Sequence, residues 1–222
     1  MAKPATQDIT PKVLQTPRAA GLAGVLFAVL FGVIVFLLRR VVPANPHTAG
    51  TWLTEASSRR EVQFALALVP FCGIFFLWFM GAVRARVGDA EDKFLSTVFL
   101  GSGLLFVAML FVFAALFGAL ITLAAQHDGN PPLDLWRLGR ETTFNLASVY
   151  AVKMGAVFMI ASSTIALRLR IHSRVVAGVG YSAAVLLLLF ASTSIPWLQL
   201  VFPLWVLLVS VNIVILSYRS VD

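Results

Sequence analysis

Six apolar runs, each about as long as a bilayer is thick, decide what this chain can become. They cover residues 21–38, 62–83, 94–124, 144–167, 175–195 and 197–216, and the only charged residue inside them is Lys153. A helix rises about 1.5 Å per residue, so about 20 apolar residues cross the roughly 30 Å of hydrocarbon. Of the 222 residues, 59% are hydrophobic and 12% are charged, far from the balance of a soluble domain. The mean hydropathy of +0.91 says the same. Six spans use nearly all of this apolar content, which leaves nothing for a soluble domain beside them. The expected fold is an all-α, polytopic integral membrane protein, a bundle of six transmembrane helices.

The domain reading follows. Residues 1–18 carry Pro4, Pro11 and Pro17 among polar residues, and are expected to form a disordered tail. Residues 19–218 form a single transmembrane domain, and 219–222 form a short second tail. The first run has no small-x-small cleavage pattern, so it is expected to stay as a span. The third run exceeds the bilayer and is expected to tilt or project. The fifth and sixth must turn within Ser194-Ile195-Pro196-Trp197, where proline breaks the helix. A tight hairpin is expected there, with a re-entrant segment as the alternative.

The net charge of +7 reads as topology. With six spans, Lys3, Lys12, Arg18, Arg84, Arg86, Lys93, Arg168, Arg170, Arg174 and Arg219 share one side. Arg39, Arg40, Arg59, Arg60, Arg137 and Arg140 share the other. The positive-inside rule places the more basic side, with both termini, in the cytoplasm. In general look the chain is similar to small multi-pass proteins of bacterial plasma membranes, and that location is expected. The expected partner is the lipid bilayer, and nucleic acid is not expected.

A weak internal repeat joins the first two hairpins. Asn45-Pro46, Trp52 and Arg60-Glu61 in one connection are echoed by Asn130-Pro131, Trp136 and Arg140-Glu141 in the next. The stretches 82-AVRARV-87 and 166-ALRLRI-171 match at an offset of 84. Tandem two-helix hairpins with a third, tighter one would explain this. Chance would too, since Asn-Pro belongs to turns and Trp and Arg to span ends. Segments 51–61 and 133–141 could lie on the membrane surface, cap the bundle or meet a partner.

Lys153 is the candidate for chemistry, because an intramembrane charge costs about 2.5–3.5 kcal/mol on insertion scales. At 100° per residue it shares a polar stripe with Asn145, Ser163 and Thr164, which could bind an anion or a lipid headgroup. Alternatively it snorkels to the interface or donates to neighbouring helices. Ala20, Gly24, Ala28 and Gly32 form a small-residue ladder on the first span, suited to close helix packing within the chain or with another protein.

No residues point to catalysis, and no catalytic residue is expected. The single cysteine, Cys72, lies in an apolar run, and His47, His127 and His172 lie in loops, so neither a metal site nor a haem or other cofactor is expected. The first functional reading is a non-enzymatic accessory or structural subunit of a membrane assembly, associating with other subunits or with itself through small-residue faces. The alternative is a transporter or channel-like protein for a small anionic or lipid-like solute, with Lys153 lining its site.

Overall fold

A computed structural model describes residues 17–43, 51–87, 93–168, 174–192 and 195–219. Nearly all of the expected N-terminal tail, the Asn45-Pro46 turn and the loops at 88–92 and 169–173 lie outside the described residues. Each expected span contains a helix: α1 (Pro17–Val41), α2 (Ala56–Val87), α3 (Lys93–Gln126), α4 (Leu133–Asn145), α5 (Val152–Arg168), α6 (Arg174–Phe190) and α7 (Val201–Arg219). A π-helical segment, Leu146–Ala151, joins α4 to α5 in one rod, so the seven helices make six crossings. No strand occurs among the described residues. Five of the six crossings are long and apolar enough to span a membrane, and α6, at 17 residues, is shorter. The fold is an all-α multi-pass membrane bundle.

The middle of the bundle is closed by aromatic rings. Phe27 of α1, Phe76 of α2, Phe106 of α3, Phe158 of α5 and Phe202 of α7 are all buried. Phe76 is the hub, with ring centroids 4.9 Å from Phe27, 5.2 Å from Phe106, 5.1 Å from Phe158 and 5.6 Å from Phe202. Lipid is as apolar as these side chains, so what holds them together is shape: rings packed tilted and edge-on against one another. Leu22, Phe36, Phe64, Phe71, Trp78 and many other large apolar residues face outward, as a bilayer requires. Serines inside the helices donate to carbonyls one turn back, as Ser102 does to Val98 and Ser162 to Phe158, both at 2.6 Å.

Of the roles open to the connections at 51–61 and 133–141, Trp52, Leu53 and Trp136 take the capping one, at one end of the bundle. Trp52 and Leu53, in a 3₁₀ turn at Thr51–Leu53, are buried, and the Trp52 ring lies 6.0 Å from that of buried Trp136. Burial of the two indoles against each other competes with the interface for them and wins. Leu133, Leu135 and Leu138 remain exposed on α4. The two tryptophans keep the offset of 84 seen in the repeat, but the arginines do not. Arg140, one turn after Trp136, is buried, whereas Arg60 is two turns after Trp52 and exposed.

The third hairpin is the short one. Helix α6 stops at Phe190, five residues before the end of the expected run, and a 3₁₀ turn at Pro196–Leu200 leads into α7. Ala191 and Ser192 are already outside the helix, and Pro196 forbids helix through it. Gly180 of α6 lies against Ser163 of α5, and from that antiparallel register Phe190 falls level with about Lys153. The α4–α5 rod continues about 20 residues further, to Leu133. Above the third hairpin, the end of the bundle remote from the chain termini, called the distal end below, is therefore built mainly by α1, α2, α3 and α4.

Candidate functional site

A narrow, half-enclosed cavity of about 40 Å³ lies in this distal end, above the aromatic plug. Helix α1 supplies one wall through Phe31, Ile34, Val35, Leu38 and Arg39, the i, i+3, i+4, i+7, i+8 positions of a single helical face. That face runs about 12 Å along the axis. Val69 and Cys72 of α2, Leu110 and Phe113 of α3 and Phe144 of α4 complete the apolar lining. Ala147 and Ser148 come from the π segment and Gln199 from the 3₁₀ turn before α7. The cavity thus follows from two local irregularities. The short third hairpin leaves room, and the π turn, a form often found at functional positions, re-aims the rod's side chains into it.

Two guanidinium groups stand at the distal rim. Arg140 is 5% exposed; it donates to the Pro43 carbonyl and lies 5.5 Å from the centroid of the Phe144 ring that lines the cavity. Arg39, in the cavity wall and half-buried, is within electrostatic reach of Arg140. Its neighbour Arg40 turns about 100° away, to an ion pair of 3.9 Å with Glu61. Among the described residues no carboxylate lies within ion-pair distance of Arg39. Cys72, the chain's one cysteine, is a buried thiol in the wall, 3.8 Å from the Phe27 carbonyl.

The four residues of the expected polar stripe do not converge. Asn145 is exposed, Lys153 and Thr164 are half-buried and Ser163 is buried. The π segment between Asn145 and Lys153 inserts a residue, which shifts their relative phase by about 100°. Ser163 and Thr164 lie about 15 Å further along α5. A Cβ on Gly180 would meet Ser163 Oγ at 2.3 Å and Trp205 Nε1 at 2.8 Å, so the serine is wedged where α5, α6 and α7 meet. Among the described residues neither of those polar atoms has a hydrogen-bond partner. Thr164 Oγ1 and Tyr181 Oη of α6 are 2.7 Å apart. Lys153 shares that face of α5 with Thr164, at eleven residues' spacing, and so is directed to the side of α6 where that helix ends.

The ladder on α1 is used unevenly. A Cβ on Gly24 would fall 2.0 Å from Ser210 Oγ and 2.7 Å from the Phe79 ring, and Ala28 is buried. At Gly32 a Cβ would meet nothing within 4 Å. Among the described residues, no group of three or more histidine, cysteine or acidic side chains is placed to hold a metal ion. The arginine site was missed in the sequence, where Arg39-Arg40 looks like an ordinary span end. The signal that could have found it is the 31, 34, 35, 38, 39 face ending in a charge.

No protein-family model matches the chain, and neither a curated protein nor a solved structure matches it significantly. The class is therefore defined by the fold alone: a multi-pass helical membrane protein with an aromatic plug across the middle of its bundle.

Proposed function

We propose that this is a non-enzymatic membrane protein that takes the alkyl chain of a lipid-like solute into its distal cavity. The observation that carries the reading is the cavity's form: a half-open slot with apolar walls along about 12 Å, whose enclosed 40 Å³ is about the volume of one or two waters, so that an alkyl chain lies along its open side and widens it on entry, while a compact, rounded ligand has no room. The aromatic rings beneath it favour a binding role over conduction, because Phe76 and the four buried rings around it close the middle of the bundle. With the termini cytoplasmic and the protein in a bacterial plasma membrane, as the charge count and general look suggest, the cavity sits in the outer leaflet.

The test uses protein purified in a steroid-based detergent, which has no linear alkyl chain to compete. A twelve-carbon amphiphile is expected to raise the melting temperature by several degrees once well above its Kd. Ala147→Phe, which fills the cavity from the π segment, is expected to abolish the shift. Absence of any shift with the unsubstituted protein overturns the reading.

Lys153 has a different part in this proposal. The Leu187 carbonyl accepts from Ala191 N–H at 3.0 Å, but the carbonyls at the very end of α6 meet little water, and the negative end of a helix dipole favours a cation. Lys153, level with Phe190 on the face of α5 turned to α6, suits that position. Lys153→Met is therefore expected to lower the basal melting temperature and leave the amphiphile-induced shift unchanged. Loss of the shift at unchanged basal stability would return the lysine to the solute site.

The accessory-subunit reading is favoured by a separate feature. An open groove runs along Gly178, Ser182, Ala183 and Leu186 on the outward side of α6, ending at Val201 of α7, and at Gly178 a Cβ would meet nothing within 4 Å. Gentle crosslinking before extraction in mild detergent tests it: a clean monomer with no co-purifying protein argues against it.

A further inference from the structure

We infer that the ligand of the distal cavity carries a compact oxyanion, a phosphate or carboxylate, seated at Arg39, with its alkyl chain running down toward Phe31. The inference rests on the alkyl-chain reading above and adds the head group. Arg39 is half out of water in the cavity wall, with no carboxylate within ion-pair distance among the described residues. A desolvated guanidinium in that state is costly until an anion meets it. Arg140, held by the Pro43 carbonyl and the Phe144 ring, adds a second positive charge nearby, which the neighbouring Glu141 carboxylate offsets only in part. One oxyanion at the rim relieves the repulsion between the two arginines and accepts hydrogen bonds from the guanidinium fork of Arg39.

The arrangement along α1 matches such a molecule end to end. Arg39 lies at the rim, and Leu38, Val35, Ile34 and Phe31 follow inward on the same face. Ser148, on the π segment, adds a hydroxyl to the wall. A cation at one end and a narrow apolar slot behind it select an anionic amphiphile over a neutral one and disfavour a cationic one. The same chemistry belongs to a two-chain anionic phospholipid and to a single-chain alkyl phosphate or fatty acid.

The experiment compares dodecyl phosphate, dodecanoate, dodecanol and dodecyltrimethylammonium by thermal shift in the steroid-based detergent, with dioleoylphosphatidylglycerol as the two-chain arm. The two single-chain anions are expected to bind about tenfold or more tightly than dodecanol, as a charge-assisted hydrogen bond implies. Arg39→Gln is expected to erase that advantage while leaving dodecanol binding unchanged, and Arg39→Lys to restore part of it. If Arg39→Gln fails to fold, the unsubstituted protein still decides. Raising salt from about 0.1 to about 1 M is expected to weaken dodecyl phosphate binding and spare dodecanol.

Phosphatidylglycerol that competes with dodecyl phosphate identifies a membrane lipid as a source, and failure to compete identifies the free amphiphile; either supports the anionic head. Equal, salt-independent binding of anion and alcohol overturns the oxyanion and leaves the alkyl-chain reading standing. Binding of none overturns both.

Discussion

Gly24→Leu is expected to lower the melting temperature of the purified protein sharply, while Gly32→Leu, eight residues along the same helix, leaves it nearly unchanged. The two glycines look alike in the sequence, as alternate rungs of one ladder. In the fold they differ completely, because a Cβ at Gly24 would lie 2.0 Å from Ser210 Oγ and 2.7 Å from Phe79, whereas at Gly32 nothing lies within 4 Å. Ser210 and Phe79 are both buried, so neither can swing clear. Extra bulk in a packed interior costs about 1–3 kcal/mol. The upper end is expected here, because α1 must move off both α7 and α2 at once. At Gly32 the new side chain meets lipid, where leucine is at home and is the better helix former. Fluorescence-detected gel filtration after a heating series reads both. Equal losses at the two positions would show that α1 does not pack on α7 as described.

Phe76→Ala is the second large effect. Five neighbouring rings surround Phe76, with Phe79 at 6.3 Å beyond the four of the plug. In a soluble core this truncation costs about 3–5 kcal/mol, part of it the transfer of the ring from water. In a bilayer that part falls away, since the unassembled helices already sit in hydrocarbon. The void and the lost ring pairs remain, and together they are worth about 2–3 kcal/mol. Phe36→Ala, at a position 59% exposed to the surroundings of the bundle, is the control and is expected to change little. The two variants remove the same atoms, so a difference between them measures packing alone. No difference would mean that the rings do not form a tight plug.

Apolar length made the helices legible in the sequence, because no other structure satisfies the backbone across hydrocarbon. Each of the six runs contains a helix, and the third is as long as expected, with α3 covering Lys93–Gln126. The site was much less legible, for reasons that are local. The π segment at Leu146–Ala151 breaks the 100° phase on which the Lys153 stripe was drawn, and nothing in the residues Leu-Ala-Ser-Val-Tyr-Ala signals a π turn. Arg39 and Arg40 are consecutive and chemically identical, yet helical rotation sends one into a cavity wall and the other to Glu61. Which rung of the ladder matters depends on where α7 lies, and α7 is about 180 residues away in the chain. The short third hairpin was half visible: Pro196 marked the turn, but not that the turn would stop below the distal end and open a space there.

The claim on which the rest depends is that this space exists and holds an alkyl chain. A density map of the protein reconstituted directly into lipid nanodiscs tests it most directly. The expected result is tubular density running from the Arg39 guanidinium down to the Phe31 ring, with α6 ending near Phe190. A map in which Leu38 and Phe144 close on each other, or in which α6 continues as helix to the distal end, would contradict it.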